Sequence, residues 1–183
     1  MIQGFQALRE LLKEPLREEG SVKTDNSILL VYPPAEELDF REQLLDSFAP
    51  QLEAMGHTYR LLDLSRFLFA TYDEATITDL CEDEFDDFHW LLQGLASRVE
   101  QSLPKAIAEL AAEIPGGTVI AYSTVSLYPL IRFGELLRDL RNLECRIAIA
   151  FPGEDRGGKL YFMNQADGGN YLAVKLLMQG GER

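Results

Sequence analysis

Ile28-Leu29-Leu30-Val31-Tyr32-Pro33-Pro34-Ala35-Glu36-Glu37 decides how this chain folds. Five consecutive apolar or aromatic residues, rich in strand formers, predict a strand covered on both faces, as inside a parallel sheet. The two prolines stop it. The loop beyond them bears on the commonest use of such a sheet. A phosphate-cradling loop needs glycines that turn backbone N–H groups inward and a lysine that reaches the terminal phosphates. Here there is no glycine and no lysine, two N–H donors are lost to proline, and two carboxylates would repel a polyphosphate. No G-x-G-x-x-G pattern occurs elsewhere.

On the N-terminal side, Phe5, Leu8, Leu11, Leu12 and Leu16 recur at helical spacing, and Pro15 shortens or bends the last turn. On the other side, Leu38, Leu44, Leu45, Phe48, Leu52 and Met55 predict a helix that closes at Gly56, followed by a strand over 58–64. Together with the first strand these make a β-α-β unit. Aromatic and acidic residues alternate through 65–103, where Phe85, Phe88, Leu91, Leu92 and Leu95 favour a helical insertion. Pro104 suits the first turn of a new helix carrying Ile107, Leu110, Ala111 and Ile114 up to Pro115-Gly116-Gly117. Strands over 118–122 and 146–151 flank a helix over 127–140. The run 159–163 reads as a further strand, and 171–178 as a strand or helix. The expectation is a single α/β domain over 1–183, with an N-terminal helix within 1–20. Its fold class is a three-layer sandwich with a mainly parallel sheet, resembling a P-loop-like fold without a phosphate-binding loop.

The 183 residues are 46% hydrophobic, enough to close a sizeable core. A formal charge of −13 argues against the chain itself gripping nucleic acid or an anionic membrane, and favours a basic partner. Cys81 and Cys145 lie far apart, and Met1 leads directly into an amphipathic segment with no secretory signal, so reduced thiols in a cytoplasmic protein are expected. No apolar run approaches the ~20 residues that span a bilayer.

Candidate chemistry is sparse. On a helix, Glu82, Asp86 and His89 would project from neighbouring turns of one face, a spacing open to a metal site, to a solvated acidic face, or to a docking surface for a basic partner. Ser123, Thr124 and Ser126 follow the third strand without a G-x-S-x-G elbow, and His57 and His89 are the only histidines. No catalytic residue, cofactor site or metal site is therefore assigned. Two loops share one rim of the predicted sheet. One is Tyr122-Ser123-Thr124-Val125-Ser126-Leu127-Tyr128-Pro129, where Ser126 suits an N-cap and Arg132 lies within reach of Glu135 or of Glu154 and Asp155. The other follows Phe151, where Pro152-Gly153-Glu154-Asp155 ends an apolar strand in charge and glycine. Rims of this kind are where α/β proteins bind what they bind.

Four motifs occur in order: Leu29-Leu30-Val31-Tyr32-Pro33-Pro34 with Phe40-Arg41; Ser126-Leu127-Tyr128-Pro129 with Ile131-Arg132; Phe151-Pro152-Gly153-Glu154; and Gly169-Asn170-Tyr171. In this order they resemble the BrxB family of BREX bacteriophage-defence systems, over roughly Ser27 to Leu177. The chain departs from that pattern at Asp155-Arg156, where an aromatic-Asp pair is usual, and at Leu172-Ala173-Val174, where a second tyrosine and an arginine are usual. It therefore resembles a divergent branch. The resemblance implies a non-enzymatic adaptor acting beside PglZ, an alkaline-phosphatase-like protein, and other system components such as a methyltransferase and an ATPase. The partner-binding residues it suggests, with the rim, are Ser126, Tyr128, Arg132, Glu154, Asp155, Asn170 and Tyr171. A metal-dependent hydrolase or nuclease built on the acidic residues, and a degenerate nucleotide sensor, are the alternative readings.

Overall fold

The computed structural model describes residues 1–16, 26–83, 88–140, 143–167 and 173–178. Strands β1 (Ser27–Tyr32), β2 (Tyr59–Asp63), β3 (Thr118–Tyr122), β4 (Arg146–Arg156) and β7 (Val174–Leu177) lie in the order β2-β3-β4-β1-β7. Every neighbouring pair in that order is parallel. Strands β5 (Lys159–Phe162) and β6 (Gln165–Ala166) continue antiparallel from the end of β4 and complete a seven-stranded, mainly parallel sheet. The helices are α1 (Ile2–Lys13), α2 (Glu37–Glu42), α3 (Ala49–Ala54), α4 (Phe67–Ala70), α5 (Glu74–Asp83), α6 (Phe88–Glu113) and α7 (Phe133–Asp139).

Successive side chains of a strand point to opposite faces, so a strand buried on both sides feeds two cores. On one face Ile28, Leu30 and Tyr32 of β1 join Ile120 and Ala148 beneath Phe5, Leu8, Phe40, Phe48 and Leu52. On the other, Leu29 and Val31 join Val119, Ile147 and Ile149 beneath α6 and α7, which supply Val99, Leu103, Ile107, Leu136 and Leu137. Each such apolar side chain contributes about 1.5–3 kcal/mol on burial. The result is a three-layer α/β fold, helices on both faces of one sheet.

Particular elements depart from the sequence reading, each for a local reason. The first two strands are not neighbours, because β4 and β3 lie between them. The helix after β1 buries Phe40, Leu44, Phe48 and Leu52, a strict four-residue step. An α-helix drifts off that step by about 40° per turn. The wider π-helical turns of Gln43–Phe48, between α2 and α3, correct the drift. Leu38 and Met55, expected in the core, are consequently 75% and 41% exposed.

Pro104 does not open a helix; it lies inside α6, which runs unbroken from Phe88. The lost N–H deprives the Glu100 carbonyl of its usual donor without ending the helix, because Val99, Leu103 and Ile107 are held in the core around it. The helix expected over 127–140 begins only at Phe133. A 3₁₀ turn spans Thr124–Leu127, and Tyr128 is extended (ψ 135°), as a residue before proline tends to be.

The buried Arg146, first residue of β4, holds the end of α1. Its Nη2 donates to the carbonyls of Glu14 and Pro15 at 2.8 and 3.2 Å, and its Nη1 to that of Leu12 at 3.5 Å. The Leu12 carbonyl belongs to the last turn of α1, where carbonyls lack an intrahelical donor and carry the negative end of the helix dipole, and those of Glu14 and Pro15 follow directly, so a guanidinium is the fitting partner.

Candidate functional site

The strand expected to stop at Phe151 continues through Pro152 and Gly153 to Arg156. Pairing with β3 ends at Ile149, where the Thr124 hydroxyl takes over by donating to the Ala150 carbonyl at 2.7 Å. Pro152 presents its backbone to the same side as Ala150, so its missing N–H falls where no ladder bond is required. Tyr32 of β1 is still its partner on the other side. From Gly153 the strand pairs with β5 instead, through a turn at Gly157 and Gly158, both at positive φ (61° and 88°). Gly153 has to be glycine, because a Cβ there would lie 2.0 Å from the Tyr161 carbonyl oxygen. The expected polar loop is therefore a β-hairpin. Its apolar side returns to the core, with Phe162 at 5.0 Å from Phe133 and 5.3 Å from Phe151 between ring centroids.

The hairpin reassigns the residues expected to bind. Glu154 accepts two hydrogen bonds from Arg156, at 2.7 and 3.0 Å, and this pairing holds its carboxyl below the usual carboxylate range. Asp155 accepts from Lys175 at 2.9 Å and from the Gly158 N–H at 2.7 Å, with the same effect, the lysine being the larger cause. Ser126 caps no helix; its hydroxyl is shared between the carbonyls of Leu64 and Ser123, at 2.7 and 2.8 Å. The residue preceding α7 is Arg132. Arg132 pairs with none of the carboxylates expected for it among the described residues, since Glu154 and Asp155 are taken. Asn170 and Tyr171 lie outside the described residues.

Tyr128 and Arg132 do come together. A cavity of about 90 Å³ is lined by Tyr128, Pro129, Arg132, Phe162 and Asp167, joining the loop after β3 to the hairpin. A second, of about 190 Å³, lies on the other side of Arg132 against Glu100 and Pro104 of α6 and Glu135 and Leu136 of α7. Arg132 is exposed and stands between the two. The Asp167 carboxylate, buried beside the smaller cavity, accepts from the Gly134 N–H at 3.2 Å.

The sequence reading missed a polar cluster at the carboxyl ends of β1, β2 and β3. Tyr32 donates to Glu37 at 2.6 Å, and burial together with that carboxylate keeps its hydroxyl protonated far above the ordinary tyrosine range. Burial likewise raises Glu37, against the opposing pull of Tyr32 and Arg41. Asp63 stands in register with Tyr122. Burial works against its charge, but the Ser65 N–H, the Ser123 and Ser65 hydroxyls and Arg41 together hold its carboxyl low. Ser123 is 2% exposed in the left-handed region (φ 58°), and its hydroxyl, near Asp63, completes no hydrogen bond of full geometry. Glu37 Oε1 and Arg41 Nε are also buried without partners. The i,i+4 spacing of Glu37 and Arg41 straight after a buried strand was the available signal.

None of this forms a catalytic relay. His57, whose Nε2 lies 2.9 Å from the Thr118 hydroxyl, is at the opposite end of β3 from Ser123. Cys145 is free and buried, and burial pushes its thiol up to about 11, away from nucleophilic use. Of Glu82, Asp86 and His89, only the His89 side chain is among the described residues, 3.1 Å from Gln93. No group of three or more His, Cys, Asp or Glu placed to hold a metal occurs among the described residues. None of the described helices is long and apolar enough to cross a membrane. The class these features define is a three-layer α/β fold with a polar carboxyl rim. Comparison with family models, with curated proteins and with solved structures returns no match for the chain.

Proposed function

We propose that the chain is a non-enzymatic adaptor of a BREX-type bacteriophage-defence system, binding a PglZ-like protein through its carboxyl rim. The observation that carries this reading is the convergence of three of the four ordered motifs. Tyr32 and Pro152 are register partners, and Thr124, two residues before Ser126, bonds to Ala150 next to Phe151. Motifs far apart in sequence thus meet in the buried framework at the carboxyl ends of β1 and β4, and Tyr128 and Arg132 line a cavity with Phe162 of the hairpin that follows. The absence of a phosphate loop after β1 supports binding over turnover of a nucleotide.

The test is co-expression with the PglZ-like protein of such a system, followed by size-exclusion chromatography. A stable complex is expected, weakened about tenfold by Arg132→Glu, because a charge reversal in the centre of an interface leaves its counter-charge desolvated. Turnover of a nucleotide or cleavage of DNA by the purified chain alone would overturn the reading.

A further inference from the structure

We propose that the cavity between α6 and α7 binds a small zwitterionic ligand of the amino-acid class, its carboxylate held by Arg132 and its ammonium by Glu100. The site borders the rim but does not rest on the adaptor reading above.

The lining is the first observation. Pro104, Ile131 and Leu136 give the cavity an apolar wall, and Glu100, Arg132 and Glu135 bring charge of both signs to it. At about 190 Å³ it holds far more than the ~10–15 Å³ that one water needs, and less than the ~300–1,000 Å³ of sites for larger organic ligands. The state of those charges is the second observation. Glu135 has an interaction of its own. Arg132 and Glu100 line the same cavity and yet form neither hydrogen bond nor ion pair with each other or with any other described residue. Opposite charges that share a cavity without meeting leave room for a ligand that carries both. The backbone adds a third observation. Pro104 lacks the N–H that would bond the Glu100 carbonyl, so the residue that supplies the carboxylate also supplies an acceptor left without its helical donor.

These groups select the ligand. A lone anion would meet Glu100 and Glu135, and a lone cation would meet Arg132. In either case one charge of the lining loses water without gaining a counter-charge, which is the costly outcome. A zwitterion satisfies both charges, and a short hydrocarbon chain between its ends covers Pro104, Ile131 and Leu136.

The test is calorimetric titration of the full chain with leucine and with ε-aminocaproate, which carry the two charges at short and at long separation. The controls are isocaproate and caproate, which lack the ammonium, and isopentylammonium and pentylammonium, which lack the carboxylate. At least one zwitterion is expected to bind with a Kd below about 10 mM, and about tenfold or more tighter than either of its controls. Glu100→Gln should weaken that binding about tenfold and let the plain acid bind as well as the zwitterion; Arg132→Gln should do the same for the plain amine. Both side chains are exposed, so the variants should keep the far-UV circular dichroism of the parent. No saturation by either zwitterion would overturn the proposal and leave the cavity to solvent. Equal binding of a control to the parent chain would also overturn it, as would variants that bind the zwitterion as the parent does. Glu100 lies outside the rim assigned to the PglZ-like protein, and that partner is absent from the titration, so failure of the complex and failure of this site are read separately.

Discussion

A methyl group at residue 153 has nowhere to go. With the Tyr161 carbonyl oxygen at 2.0 Å and Phe151 Cε1 at 2.8 Å, Gly153→Ala must push β5 away or bend β4. Overpacking of this kind costs about 2–3 kcal/mol, measurable as a lower urea midpoint. Arg146→Met removes the guanidinium from the carbonyls of Leu12, Glu14 and Pro15 at the end of α1, and we expect a loss of about 3 kcal/mol, since acceptors are left without donors. Glu37 behaves differently. Its carboxyl is raised in the fold by burial, so its contribution is favourable in acid and is lost as pH rises through the folded value. Glu37→Gln should therefore be more heat-stable than the parent at pH 7, with the gap closing as pH falls through the carboxylate range. A melting-temperature series against pH reads this out. Asp63 and Asp155 have the opposite sign: they are held low, and the stability they confer is present above the usual carboxylate range and fades in acid.

At the scale of elements, Pro104 is the informative case. A proline in a helix interior is intrinsically about 3 kcal/mol worse than alanine, so Pro104→Ala should stabilise the fold by about 1 kcal/mol or more. Slower amide exchange in α6 near Glu100 would accompany it. The same residue shows what the sequence could and could not reveal. Strands β1, β3 and the first half of β4 were legible because they are short apolar runs between glycines and prolines, and both of their faces are covered. Breakers placed inside elements were not legible. Pro104 survives in a helix because its neighbours are buried, and Pro152 in a strand because β3 has already turned away; both reasons are tertiary. The four-residue step from Phe40 to Leu52 was visible, but reading it against a period of 3.6 put Leu38 and Met55 on the wrong face. The candidate site was half legible. Tyr128 and Arg132 do share a cavity, whereas Glu154 and Asp155 have partners inside a hairpin that begins at Pro152-Gly153, a pair that ends a strand by local rules.

At the scale of the molecule, both cores are built on the same strands, so neither can melt alone. Denaturation followed by far-UV circular dichroism and by near-UV tyrosine signal should give coincident transitions, and separated ones would show that the two helical layers unfold independently. The shared sheet has a further consequence in time. Ile28 of β1 finds its neighbours in Ala148 and Val174. β1 is thus synthesised about 120 residues ahead of the nearer in sequence of the two strands it pairs with. Until then β1 exposes both of its edges, and the loop it must close is long, the condition under which parallel sheets form slowly and associate wrongly.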